Sequence, residues 1–181
     1  MSARLVILAC SATKRTDAGY MPAIERYNGP LWQTFKAARA EAAPIACAFL
    51  SALYGFGGED RPIQDYNERM TPERARAFIA GGLDTRWPRP PSWRHPDNYG
   101  MHAGCEIAGL TRYRAQPFAD VAIVGGGLYL EVMRAFVEQF RAAGHLTPAA
   151  RVTEINAPIG YMRQQLRAWM RQGCEGQERA A

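Results

Sequence analysis

The sequence predicts a three-layer α/β domain in which helices cover both faces of a central, mainly parallel sheet of four strands. Four short apolar runs lack the polar alternation of a strand with one wet face, so each is expected to be buried on both sides. Helical patterns lie between and after these runs, and such alternation favours parallel pairing. The 181 residues, 48% of them hydrophobic, suffice for one core, and we expect a single domain over 1–181.

Each predicted element has recognisable bounds. Strands are predicted at 5–10, 45–50, 121–124 and 152–155. Helices are predicted at 31–43, 72–80, 128–143 and 159–172. Pro30 opens the first helix and Thr71 caps the second, whereas Gly144 and Gly173 close the last two.

The segment 81–100 interrupts this alternation. It contains four prolines interleaved with tryptophan and arginine, which predicts an irregular insertion. Its tryptophans either pack on the core or belong to an arm over the site, in which Arg89, Trp93 and Arg94 contact nucleic acid. The polar tail 173–181 is expected to be frayed.

The charge is basic, at +5, and it comes mainly from arginine, since Lys14 and Lys36 are the only lysines. Arginine pairs well with phosphate, so a nucleic-acid partner is compatible with the composition, although codon bias explains it equally well. No apolar run in the sequence is long enough for a membrane span, and the short N-terminal run leads us to expect no signal peptide. Four scattered cysteines predict a reducing, cytoplasmic location.

The histidines and cysteines lack metal-ligand spacing, so we expect neither a metal nor another cofactor. Nothing in the sequence requires an obligate protein partner.

The first predicted strand leads into a turn of small hydroxyl residues and two cations. In parallel sheets, ligands bind beyond the carboxyl ends of strands. Backbone amides and hydroxyls of such a turn suit a phosphate or carboxylate, and the candidate residues are Cys10, Ser11, Thr13, Lys14 and Arg15. The alternatives are that Lys14 is a solvated loop lysine and that Cys10 is a small buried side chain.

The second predicted strand is followed by aromatic residues beside glycines, a composition suited to a flat ligand. The candidates for ligand binding are Ser51, Tyr54, Gly55, Phe56 and Tyr66, but the aromatics can equally plug the end of the sheet. Two carboxylates further along, Asp65 and Glu68, are candidates for acid–base catalysis.

The third predicted strand ends in three glycines directly before a helix. This pattern indicates close approach of a ligand to the backbone near Gly126, Gly127 and Tyr129, or simply tight packing of helix on strand. On the last helix, Arg163 begins an i, i+4 row of arginines that forms either a phosphate-binding track or a solvated face.

Taken together, five segments resemble a small bacterial and phage family of domains; they read CSATKR, YNGPLW, LSALYGF, IQDYNERM and VGGGLY and span most of 4–172. The C-S-x-x-K turn is similar to the glycosylase-like domain of archaeosine synthase. The LSALYGF segment, with the stretch after it, is similar to the DNA-binding YaaA-type peroxide-stress proteins. The family includes anti-phage glycosylases that remove glucosylated hydroxymethylcytosine.

This resemblance implies a uracil-DNA glycosylase-like fold and a DNA glycosylase that flips a modified base, leaves an abasic site and acts in anti-phage defence. The turn from Cys10 to Lys14 would hold the sugar and position water, Tyr54 and Phe56 would line the base pocket, and Asp65 would be the catalytic carboxylate. The chain lacks the G-x-D-P-Y turn and the H-P-S loop of uracil-DNA glycosylase itself, which argues against uracil as substrate.

Two other functions stay open at this point. A non-catalytic DNA-binding stress protein would keep the arginine surface without needing a carboxylate in the pocket. An enzyme acting on free nucleotides or nucleosides would use the same anion-binding turns without duplex DNA.

Overall fold

The computed structural model describes residues 3–88 and 100–178, with side chains described through 172. Its centre is a five-stranded sheet in the order β4-β3-β1-β8-β9. The strands are β1 (Ala3–Ala9), β3 (Ala46–Ser51), β4 (Gly55–Gly58), β8 (Phe118–Val124) and β9 (Leu146–Ile155). All pair in parallel except β4, which is antiparallel to β3.

The predicted α/β class with a mainly parallel sheet flanked by helices is therefore confirmed, whereas the predicted number of four strands in that sheet is wrong. The additional strand, β4, has the sequence GFGG, and glycine weakens the strand signal. Two-stranded pairs lie outside the central sheet: β2 (Met21–Pro22) with β5 (Pro62–Ile63), and β6 (Arg86–Trp87) with β7 (Met101–His102).

Six α-helices lie within the described residues. They are α1 (Ala23–Arg26), α2 (Pro30–Arg39), α3 (Pro72–Gly81), α4 (Ala103–Leu110), α5 (Gly127–Ala142) and α6 (Ile159–Glu178). Four of them match the predicted helices to within a few residues, except that α6 continues past 172 into the tail. None is both long and apolar enough to cross a membrane, as far as the described residues go.

Strand β1 shows how the sheet separates two cores. Leu5 and Ile7 face one side, where they join a cluster with residues of α3, α4 and α5. Val6 and Leu8 face the other side and pack with residues of α2 and α6. Because successive strand side chains alternate between faces, an uninterrupted apolar strand supplies both cores at once.

Part of the predicted irregular insertion has regular structure. Helix α3 ends at Gly81, a short 3-10 helix covers Gly82–Asp84, and β6 follows. The ring of Trp87 lies 4.1 Å from that of Phe78, so this tryptophan packs on the core. The predicted contacts of Arg89, Trp93 and Arg94 lie outside the described residues.

Candidate functional site

The turn after β1 is held rigidly against a second segment of chain. The amide of Arg15 donates to the carbonyl of Arg26 at 2.8 Å, and the amide of Asn28 donates to that of Thr13 at 3.0 Å. Within the turn, Ser11 Oγ accepts from the Thr13 amide at 3.1 Å. A Cβ atom on Gly29 would come within 2.0 Å of Ser11 Oγ, so only glycine allows this approach.

A buried arginine fixes the continuation of the turn. The guanidinium of Arg26 is fully buried and donates to the carbonyls of Arg15, Asp17 and Gly19 at 2.6, 2.8 and 2.7 Å. Three of the five carbonyls of the loop 15–19 are thus satisfied by a side chain, as a neighbouring strand would satisfy them.

Two hollows flank the turn. The first, here called the cleft, has a volume of about 310 Å³ and is lined by Ala12, Lys14, Thr16, Asp65, Tyr66 and Asn67. The second is mainly apolar, has a volume of about 240 Å³, and lies between the turn and the first residues of α2 and α6. The predicted binding residues Cys10, Ser11 and Thr13 line the apolar hollow, whereas the titratable residues Lys14 and Asp65 line the cleft.

Behind the cleft, three hydroxyl groups form what we call the hydroxyl cluster: those of Tyr27, Ser51 and Tyr66. Ser51 Oγ donates to Tyr66 Oη at 2.7 Å, and Tyr66 Oη lies 2.7 Å from Tyr27 Oη. Tyr27 and Ser51 are fully buried. Burial raises the pKa of both Tyr27 and Tyr66 well above the ordinary tyrosine value, so both phenols are neutral.

Cys10 and Tyr129 connect β1 to α5 beside this cluster. Their Sγ and Oη atoms lie 3.1 Å apart, and either can be the donor. Burial, and then the adjacent thiol of Cys10, raise the pKa of Tyr129 above its ordinary value. The half-buried Cys10 therefore has a neutral phenol as its immediate neighbour.

Lys14 lies over an aromatic ring at the wall of the cleft. Its Nζ atom is 4.2 Å from the ring centroid of Tyr66, a cation–π distance. Burial lowers the pKa of Lys14 below its ordinary value, and negative charge on Cys10 and Asp65 opposes that shift. The ammonium is thereby partly desolvated, which strengthens its field on any ligand in the cleft.

The two candidate carboxylates occupy different surroundings. Asp65 is exposed and lines the cleft, and its Oδ1 accepts the amide of Tyr66 at 2.9 Å. Glu68 forms an ion pair with Arg74 at 3.1 Å, and Arg74 in turn donates to the carbonyl of Ala52. The structure therefore brings Asp65 together with Lys14, and it engages Glu68 in holding α3.

The aromatic residues after β3 do not form an open pocket for a base. Phe56 is 2% exposed and packs on Phe140 at 5.0 Å, so the prediction that it lines the pocket is corrected: it belongs to the core. Tyr54 is also buried; its Oη accepts the amide of Gln64, and its ring contacts that of Tyr66 edge-on. Tyr54 thus supports the cleft from behind.

The glycines in this region play different parts. Gly55 has φ +68°, and a Cβ there would lie 3.1 Å from the Cβ of Trp87, so its role is structural. Gly126 and Gly127 are exposed at the start of α5 with open space around them. Gly125 is the constrained position, because its Cβ would lie 2.9 Å from the Cβ of Ala9 and 3.3 Å from that of Tyr129.

Two of the predicted DNA-binding arginines have protein partners. Arg15 forms a bidentate pair with Asp17, with both distances 2.9 Å. Arg163 donates to Thr34 Oγ1 at 2.9 Å and joins α6 to α2. Both arginines still add positive charge near the carboxyl ends of the strands, but each guanidinium already has a hydrogen-bond partner in the protein.

Sequence reasoning missed Tyr27, Gly29 and Gly125 as site residues. The YNGPLW segment does contain Tyr27 and Gly29, but their partners lie 39 and 18 residues away. The signal that could have identified Tyr27 and Gly29 is the pair of polar residues, tyrosine and asparagine, that stands directly before an amphipathic helix.

No known protein family matches this chain, and neither a curated protein nor a solved structure matches it.

Proposed function

We propose that this protein is a DNA glycosylase that hydrolyses the N-glycosidic bond of a modified base, with a glucosylated hydroxymethyl-pyrimidine in phage DNA as the first substrate to test. The resemblance of its motifs supports this choice, as does the chemistry of the cleft. The observation that carries the proposal is that an exposed carboxylate, Asp65, and a partly desolvated ammonium, Lys14, line the same cleft beside the Tyr66 ring.

Each of these groups meets a requirement of the reaction. The bond between C1′ and the base nitrogen breaks with its electron pair going to the base, and the sugar becomes oxocarbenium-like. The carboxylate of Asp65 stabilises this positive charge and takes a proton from the water whose oxygen bonds to C1′. The ammonium of Lys14 stabilises the negative charge on the departing base, which takes a proton from solvent, and Asp65 then returns its own proton to solvent.

The dimensions of the cleft suit one nucleoside and not a stacked duplex. A volume of about 310 Å³ lies at the lower end of small-ligand sites. A base in duplex DNA must therefore be flipped into it, at a cost of a few kcal/mol that falls when the base is damaged or modified.

A second candidate is an enzyme that cleaves free nucleotides or nucleosides with the same residues. The pairing of Arg15 with Asp17 and of Arg163 with Thr34 favours it, because those cations have protein partners in place of phosphates.

The test incubates the protein with plain DNA, with phage DNA carrying hydroxymethylated or glucosylated pyrimidines, and with the matching free nucleotides. Released bases are measured by mass spectrometry and abasic sites by alkaline cleavage. Base release from modified DNA alone supports the proposal, and release from free nucleotides alone supports the second candidate. DNA binding without base release on any template would replace both with a non-catalytic binding protein of the YaaA type.

A further inference from the structure

The hydrogen bonds of the hydroxyl cluster can be assigned proton by proton, beginning with Ser51. Its Oγ accepts the amides of Leu53 and Tyr54 at 3.1 and 3.0 Å, which occupies both of its lone pairs. Its own proton goes to Tyr66 Oη. Ser51 therefore has no capacity left to accept a proton from either tyrosine.

One hydrogen bond then remains between Tyr27 and Tyr66, and two phenolic protons are available for it. Tyr27 is fully buried, and both Tyr66 and Ser51 lie beside its Oη, but Ser51 has no lone pair left to accept the Tyr27 proton. Leaving the Tyr27 proton unpaired would cost about 1–3 kcal/mol. Tyr66 is partly exposed and lines the cleft, so it is the one of the two tyrosines that water or a ligand can reach. Tyr27 is thus the donor and Tyr66 the acceptor.

We propose that Tyr66 directs its hydroxyl proton into the cleft and donates a hydrogen bond to the bound ligand. The role of that bond rests on the proposed function: its acceptor is the carbonyl oxygen of the departing base, on which negative charge accumulates as the bond to C1′ breaks. Tyr66 keeps its proton throughout, and the base receives its proton from solvent.

Two features of the cluster suit Tyr66 to this task. Its oxygen accepts hydrogen bonds from both Ser51 and Tyr27, and such chains polarise the remaining O–H group and make it a stronger donor. Burial also raises the pKa of Tyr66, which keeps the phenol protonated at neutral pH. A donor fixed in this way needs no reorganisation when charge develops.

The direction of the hydrogen bond is measured without reference to activity. In protein labelled with ¹³C-tyrosine, the hydroxyl protons of Tyr27 and Tyr66 are assigned by NMR and their exchange with water is compared. We expect slow exchange for Tyr27 and fast exchange for Tyr66. The reverse order would overturn the inference whether or not the protein is a glycosylase.

The catalytic role is measured with a matched pair of variants, Tyr66→Phe and Tyr27→Phe, on the modified DNA that the wild type cleaves. Loss of a preorganised donor lowers kcat by about 10²–10³-fold with little change in KM, and this is expected for Tyr66→Phe. Tyr27→Phe leaves the Tyr66 proton in place, so its loss of kcat should be smaller. Equal losses, or none for Tyr66→Phe, contradict the role.

A wild type that releases no base from any template refutes the proposed function alone. The NMR order then decides the inference that Tyr66 is a donor facing the cleft.

Discussion

At the amino ends of β1 and β8 the carboxylate of Asp120 is surrounded by donors, whereas at the carboxyl ends of the same strands the ammonium of Lys14 lies over an aromatic ring. Asp120 accepts from Arg4 at 2.9 Å, from Arg151 at 3.0 Å and from Trp169 at 3.3 Å. Such a network satisfies each of its members and fixes the strands. The carboxyl edge instead presents a cation and a carboxylate to a cleft, which leaves both available to a ligand.

The comparison predicts that a substitution at one edge alters catalysis and that a substitution at the other alters stability. The following variants separate the two effects.

The largest effect is expected for Asp65→Asn. Losing the carboxylate should slow base release by about 10²–10⁴-fold, as removal of a catalytic acid–base group does. The asparagine Oδ1 can still accept the Tyr66 amide, so the free energy of unfolding should stay within about 0.5 kcal/mol of the wild type. Single-turnover base release and urea titration measure both quantities.

Asp60→Asn is the matched control, because it changes another exposed aspartate outside the cleft. If both variants lose base release equally, Asp65 has no special part in catalysis.

Asp120→Ala is expected to have the largest effect on stability. It leaves the guanidinium of Arg4, whose side chain is 6% exposed, buried without its carboxylate, and breaking such a pair costs about 3–5 kcal/mol. The exposed pair of Arg134 and Glu154 gives the control: Glu154→Ala should cost less than about 1 kcal/mol. Urea unfolding compares the two variants, and equal costs would show that burial at the amino edge is unimportant.

Acid unfolding tests the same network. Burial alone would raise the pKa of Asp120, but hydrogen bonds from Arg151 and Arg4 outweigh it and hold the pKa below the ordinary 3.8. A lowered pKa in the folded state means that the stabilisation is present above pH 3.8 and is lost as the pH falls through the folded value. Asp120→Asn should remove this part of the acid dependence, and an unchanged slope would argue against it.

Gly125→Ala should have an intermediate effect at the carboxyl edge. The new Cβ would press on Ala9 and Tyr129, and overpacking of this kind costs about 1–3 kcal/mol. The neighbouring Gly126→Ala adds its methyl group to open space, so its effect on thermal unfolding should be within about 0.5 kcal/mol. If the two variants unfold at the same temperature, the result contradicts the close approach of α5 to β1.

The smallest effect is expected for Lys14→Arg, which keeps the positive charge. Because burial lowers the pKa of Lys14, the rate of wild-type base release should decrease at alkaline pH. The midpoint of this alkaline limb should lie below the ordinary lysine value of 10.5. Arginine stays protonated there, so the limb should disappear while activity near neutral pH stays within about tenfold. A limb that persists in the variant belongs to another group.

The sequence predicts the strands of the sheet better than it predicts the side-chain contacts at the ends of those strands. Three of the four parallel strands follow from apolar runs such as that ending at Ala9, because burial on both faces leaves a local signature. The edge strand β9 is buried at only three of its ten residues, so the expectation of burial on both faces is wrong there. Lys14 was found because it lies in the turn after the first strand, whereas Asp65 was found as a carboxylate further along the chain from the second strand. Helix α4 was missed, since its two glycines weaken the helical signal.

Contacts between distant segments were beyond sequence reasoning. Tyr27 and Tyr66 are 39 residues apart in the chain, and neither sequence neighbourhood signals the pair. Phe56 was misplaced for the same reason, because its partners on α5 are far along the chain. The sequence therefore predicted the chemical types of the site residues but not which side chains contact one another in the folded chain.

The buried guanidinium of Arg26 has a consequence for the timing of binding. Its three hydrogen bonds to the carbonyls of Arg15, Asp17 and Gly19 order the loop next to the cleft when the chain folds. The conformational entropy of that loop is lost during folding and not again when a ligand arrives. A ligand thus meets a wall that is already formed at this loop, so the loop adds no wait for its own closure to the association rate.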